Sequence, residues 1–201
     1  GTFEDKSQAA GLDILLYGQG VAVGDYDGDG RTDVFITAVG KNRLLKNADT
    51  GFIDVTATVG VAGDDKAWST SAGFLDYDRD GDLDLFVCNY VTWTPEINAK
   101  VDYRLTGVGR AYGPPTDYAG TNNYLYRNDG AHFTDVSASA GIEVLSSASG
   151  TPAGKGLAVL PFDVNRDGWP DLMVANDTVR NFLFLNNRDG TLTEAGIAKG
   201  L

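Results

Sequence analysis

Three nine-residue stretches hold the residues best suited to chemistry: DYDGDGRTD at 25–33, DYDRDGDLD at 76–84 and DVNRDGWPD at 163–171. They share the pattern D-x-[D/N]-x-D-G-x-x-D. Carboxylates at alternate positions of a tight turn aim at one point. There each pair repels by about 1 kcal/mol even in water, and by more when partly buried. A hard cation at that point turns the repulsion into attraction, and calcium takes six to eight oxygens. Glycine at the sixth position permits the sharp reversal. The seventh position varies freely (Arg31, Asp82, Trp169), as suits a residue that offers only its carbonyl. The first site would use Asp25, Asp27, Asp29 and Asp33 with the carbonyl of Arg31. The second would use Asp76, Asp78, Asp80 and Asp84 with the carbonyl of Asp82, and the third Asp163, Asn165, Asp167 and Asp171 with the carbonyl of Trp169. Asn165 keeps an oxygen but drops a charge, so the third site is expected to be the weakest. The loops contain no His or Cys, which disfavours zinc. Magnesium demands stricter octahedral geometry and holds its water. Three Ca2+ ions would bring +6 to a chain of formal charge −12. The competing reading is a solvated acidic turn that binds nothing.

An EF-hand needs a bidentate Glu at position 12, on an exiting helix. Position 12 is Ile36, Val87 and Val174, each in a β-rich run. Each loop therefore feeds a strand. The flanks repeat too. A glycine-rich apolar run precedes each loop (GQGVAVG, STSAGFL, GKGLAVLPF), and a continuously apolar run follows it (VFITAV, LFVCNYV, LMVAN), as expected of a strand buried on both faces. Next come an Asn-containing run with a turn (NRLLKNADTG, NNYLYRNDG, NFLFLNNRDG) and a segment ending in glycine, which starts at 3, 52, 133 and 192. Four short strands per unit predict an all-β fold of β-propeller blades, with a β-solenoid as the alternative. The units run over about 12–61, 62–142 and 143–201, with 1–11 as the last strand of a preceding unit. The middle unit carries an insertion over about 93–121 that reads as a long ordered loop rather than a strand or helix. Three blades are too few for a ring of the usual 4–8. Missing blades or a second copy would complete it.

Acids outnumber bases 28 to 16, which argues against nucleic acid as a partner. No apolar stretch approaches the ~20 residues of a membrane span. The N-terminus lacks the basic start and apolar run of a signal peptide. Cys88, the one cysteine, sits in the apolar run LFVC and reads as a buried thiol. No catalytic constellation stands out: the one histidine, His132, lies in a turn, there is no G-x-S-x-G elbow, and Lys155 in TPAGKGL does not meet phosphate-loop spacing. The insertion sets Trp93, Tyr103, Tyr112 and Tyr118 beside Arg104 and Arg110, residue types that dominate binding hot spots.

The acidic loop after a glycine-apolar strand, followed by N-x-L-x-x-N and a Gly-Phe turn, resembles the FG-GAP/VCBS repeats of integrin α-type propellers. YLYRNDGAHFTDVSASAGI (124–142) is similar to bacterial relatives of cartilage acidic protein, the ASPIC/UnbV group. The resemblance implies a secreted, cell-surface or periplasmic propeller with a structural calcium in each acidic loop. Fold does not fix function, so the family's adhesive roles are not carried over; the reading is a module for protein–protein or cell-surface interaction or scaffolding, with no catalytic role expected because no catalytic constellation stands out. The alternative is a glycan-binding or glycan-processing propeller.

Overall fold

A computed structural model describes residues 1–130 and 132–201. Each acidic loop joins the first two strands of a four-stranded antiparallel meander. The first sheet runs β1 (Tyr17–Gly24), β2 (Asp33–Val39), β3 (Arg43–Ala48) and β4 (Gly51–Asp54), in spatial order. The second pairs β5 (Ser69–Leu75), β6 (Asp84–Asn89), β9 (Tyr124–Asn128) and β10 (Phe133–Asp135) in the same way. The third consists of β11 (Gly156–Phe162), β12 (Asp171–Asn176), β13 (Phe182–Asn186) and β14 (Leu192–Glu194). The register is the same in all three: Gly24, Leu75 and Phe162 face Asp33, Asp84 and Asp171 across the loop. Each first strand also carries one irregularity at the same place, after Gly18, Ser69 and Gly156. The chain is thus all-β, built from three blades of one architecture. Its helices are single turns or little more, and among the described residues none is long and apolar enough to cross a membrane.

Successive blades stack by burying apolar faces against one another. Between the first two lie Tyr26, Phe35, Leu44 and Val61, packed with Leu85, Val87, Tyr126 and Phe133. Between the second and third lie Tyr77, Phe86, Cys88, Leu125 and Ile142, packed with Leu172, Val174, Phe182 and Phe184. Full burial of such a side chain contributes ~1.5–3 kcal/mol. Burial pushes the Cys88 thiol up to about 12, so it stays protonated and behaves as a small apolar group. The first strands of neighbouring blades lie side by side. A Cβ on Gly20 would stand 2.5 Å from the Thr70 carbonyl oxygen, and Thr70 Oγ1 donates to the Gly156 carbonyl at 2.7 Å. This close approach accounts for the small residues before each acidic loop.

The expectation that each post-loop strand is buried on both faces holds only for β6, where every residue is buried. Strands β2 and β12 mix buried and half-buried residues. The middle blade has a neighbour on each side, and the outer two have one. Val21, Val23 and Ile53 are accordingly exposed on the first blade, and Leu160 and Val164 on the third.

Two other expectations differ from the structure. The insertion does contain regular structure: a short helix (Pro95–Lys100), a hairpin of β7 (Arg104–Leu105) with β8 (Gly109–Arg110), and a 3-10 turn at Pro115–Asp117. The helix starts because the Thr94 hydroxyl accepts from Ile97 N and Pro95 occupies the first helical position. Residues 1–11 form no strand, because no strand of the chain pairs with residues 3–5; residues 7–11 make a turn instead. That turn docks on the first blade as residues 137–141 dock on the third. Phe52 N donates to Ala10 O at 2.8 Å, and Leu192 N to Ala140 O at 2.7 Å.

The acidic loops need positive φ at two positions, not one. Besides the sixth-position glycines, the fourth position is left-handed in every loop: Gly28 (φ 69), Arg79 (φ 60) and Arg166 (φ 60). A non-glycine residue there costs about 1 kcal/mol. Arg79 recovers part of this by donating to the Gly168 carbonyl at 2.9 Å and lying over the Trp169 ring. Arg166 has no such contact among the described residues. We expect Arg166→Gly to raise Tm by about 2 °C, measured by differential scanning calorimetry; a fall in Tm would show that the loop holds Arg166 without strain.

Candidate metal centres

Each acidic loop folds on its own first carboxylate. The sixth-position N–H donates to it in all three: Gly30 N to Asp25 at 2.8 Å, Gly81 N to Asp76 at 3.2 Å and Gly168 N to Asp163 at 2.8 Å. The seventh-position N–H donates to the fifth-position carboxylate: Arg31 N to Asp29 at 3.0 Å, Asp82 N to Asp80 at 2.9 Å and Trp169 N to Asp167 at 2.9 Å. These side-chain-to-backbone bonds replace the strand ladder across the turn. In the first two loops the carboxylates that gather are those of positions 1, 3 and 9, and the fifth-position Asp29 and Asp80 are not among them.

The ninth position does something the spacing alone does not convey. Asp33, Asp84 and Asp171 are fully buried. One oxygen of each accepts the second-position N–H of its own loop, at 3.1 Å from Tyr26, 2.8 Å from Tyr77 and 3.0 Å from Val164. The other accepts, at 2.8 Å in every case, from Asn47, Asn128 or Asn186 on the blade's third strand. The carboxylate thus fastens the loop to its sheet. Burial pushes the Asp84 carboxyl up to about 7 against its two N–H donors, with Asp78 and Asp80 adding to the rise. Asp33 is raised by the same cause, and Asp78 by burial and then by Asp80.

In two loops the carboxylates converge as a cation site requires. Oxygens of Asp25, Asp27 and Asp33 lie within 4.8 Å of one another, as do those of Asp76, Asp78 and Asp84; either triad could hold a metal ion. Asp27 Oδ1 and Asp76 Oδ1 are buried and meet no donor among the described residues. A buried charged oxygen without a partner is costly, and a hard cation is the group that would satisfy several such oxygens at once. The residues therefore fit calcium. In the third loop Asp163, Asn165, Asp167 and Asp171 keep the same local turn, and Asn165 Oδ1 accepts from Asp167 N at 3.0 Å.

Three basic residues absent from the sequence-based site lie beside the loops. Lys46 Nζ pairs with Asp27 and, at 3.1 Å, with Asp29. Arg188 donates to Asp167 Oδ2 at 2.7 and 3.2 Å. Arg127 turns away to Asp129 at 2.8 Å. Lys46 holds the Asp29 carboxyl below the usual range, and Arg188 does the same for Asp167. The signal for Lys46 and Arg127 was their shared place one residue before the repeated asparagine.

Those asparagines link the blades. Asn128 Nδ2 donates to the Tyr26 carbonyl of the preceding blade's loop at 2.7 Å, and Asn186 Nδ2 to the Tyr77 carbonyl at 2.7 Å. Each also donates to its own loop, at Leu83 O and Pro170 O, both at 3.1 Å. Among the described residues the Asn47 amide makes the own-loop bond alone, to Thr32 O at 3.2 Å.

In the insertion, Trp93 meets the Trp68 ring at 5.8 Å and so helps fix the loop to the body, while Tyr118 donates to Asn98 at 2.7 Å and ties the insertion to itself. Tyr112, 94% exposed, and Val108 face outward. His132 is exposed as well.

A family model described as FG-GAP-like repeat matches residues 25–87 and 163–200, together just over half of the chain. The first match spans two acidic loops and the second begins at the third. No curated protein matches the chain.

Proposed function

The chain belongs to the FG-GAP-like repeat family, and from that premise we propose that it is a calcium-braced β-propeller module serving as a binding or scaffold surface. The observation that carries the metal reading is the pair of buried carboxylate oxygens, Asp27 Oδ1 and Asp76 Oδ1, inside two congruent acidic triads. Asp25, Asp27, Asp29 and Asp33, then Asp76, Asp78, Asp80 and Asp84, then Asp163, Asn165, Asp167 and Asp171 would hold the ions, with the carbonyls of Arg31, Asp82 and Trp169. Bound calcium supplies charge neutralisation and cross-linking, not chemistry at a substrate. The chain's own part is to prepare the oxygens: the ninth-position carboxylate and the third-strand N–H hold each loop in its curled form.

Repeats of this kind generally serve as binding or structural modules, and we assign no catalytic residue. Millimolar calcium outside the cytoplasm would fill even weak sites, which favours an extracellular, cell-surface or periplasmic setting. The exposed ends of the blade stack support a ring completed by further blades or by a second copy. The surface we assign to a protein or glycan partner is the outward part of the insertion, where Tyr112 and Val108 stand clear of the body.

Thermal unfolding in excess EDTA and in millimolar calcium tests the metal reading. One loop at a hundredfold excess over its Kd contributes about 2.7 kcal/mol, or about 5–10 °C in Tm for a domain of this size. Identical Tm values in the two buffers would overturn it.

A further inference from the structure

Congruent as the loops are, the side chains entering them differ. The residue before the third-strand asparagine is Lys46 in the first blade, Arg127 in the second and Leu185 in the third. In the first blade the acid after the asparagine, Asp49, is held by Arg31 at 2.6 Å. Lys46 is thereby left to enter its loop and pair with both Asp27 and Asp29. In the second blade the acid comes immediately after the asparagine, and Arg127 pairs with Asp129 rather than with a loop carboxylate. Asp76 Oδ1 is buried there without a donor, as Asp27 Oδ1 is in the first loop; the difference is that no basic side chain pairs with Asp78 or Asp80 among the described residues, Arg127 being paired with Asp129. In the third blade Leu185 carries no charge, but Arg188 reaches back from the turn to Asp167.

We propose, resting on the calcium reading above, that the loops are unequal cation sites: Lys46 is a tethered cation in the first loop, Arg188 restrains the third, and the second loop takes calcium first. Calcium entering the first loop must displace an ammonium from two carboxylates. Pairs of this partly exposed kind weaken binding by about two- to thirtyfold in total. Lys46 is therefore a residue that sets the order of loading, and it keeps the first loop folded when calcium is scarce.

Calorimetric titration of the EDTA-stripped chain with calcium tests this, alongside Lys46→Met and Asp78→Ala. Lys46→Met keeps the apolar stem and removes the charge. One of its binding steps should tighten by about two- to thirtyfold, while its Tm in EDTA falls below that of the parent and meets it at saturating calcium. Asp78→Ala should remove the tightest step. Lys46→Gln repeats the measurement should the methionine variant fold poorly. A Lys46→Met titration that superimposes on the parent's, or is weaker, overturns the role of Lys46 while leaving calcium binding intact. Loss of a weaker step in Asp78→Ala overturns the loading order. Absence of calcium binding in the parent overturns the underlying calcium reading, and this inference with it.

Discussion

Asp84→Ala should lower Tm by about 10 °C in EDTA, with no metal in play. Two buried N–H groups, those of Tyr77 and Asn128, lose their acceptor together, at about 1–3 kcal/mol each. Part of this is offset because the buried carboxylate no longer has to be kept charged out of water, the burden that pushes its pKa up to about 7. A net loss of about 2–4 kcal/mol follows, and at 2–4 °C per kcal/mol this places the shift near 10 °C. Asp80→Ala in the same buffer should change stability by less than about 1 kcal/mol, because it removes one member of a like-charged cluster whose carboxylate only caps the Asp82 N–H. In calcium both variants should lose the ion's contribution. Thermal unfolding followed by circular dichroism separates the two roles. If Asp84→Ala and Asp80→Ala behave alike in EDTA, the ninth-position aspartate is a ligand and not a brace.

Asn186→Ala is expected to have the next largest effect, about 3 kcal/mol. It removes bonds to the Tyr77 carbonyl of the neighbouring blade and to Pro170 O, together with the acceptor for Arg188 N at 2.8 Å. All involve a residue only 5% exposed, so water does not replace them freely. Asn47→Ala, at the equivalent position of the first blade, removes one exposed bond and should cost about 1 kcal/mol or less. Chemical denaturation of both variants decides the matter. Equal losses would mean that the inter-blade bond carries no weight, and that the asparagine acts only within its own blade.

The acidic loops were legible because their chemistry is local. A side chain at position 1 that captures the N–H of position 6, and a glycine that tolerates positive φ, are dictated within nine residues. The left-handed fourth position is not legible in the sequence, because Arg79 and Arg166 do not advertise it as Gly28 does. The start of the Pro95–Lys100 helix is signalled by Thr94-Pro95 but masked by the Gly, Pro and Tyr content around it.

Residue order thus settled the repeat, the four-stranded meander and the curl of each loop, because those rest on alternation, turn residues and contacts a few positions apart. Packing between blades settled the rest. Only stacking makes β6 buried throughout while β2 and β12 are not, and turns the repeated asparagines into links to the neighbouring loop. Only the fold brings Lys46, nineteen residues along the chain, onto Asp27. Burial and long-range ion pairs depend on which surfaces meet, and three nearly identical loops become unequal once their neighbours differ.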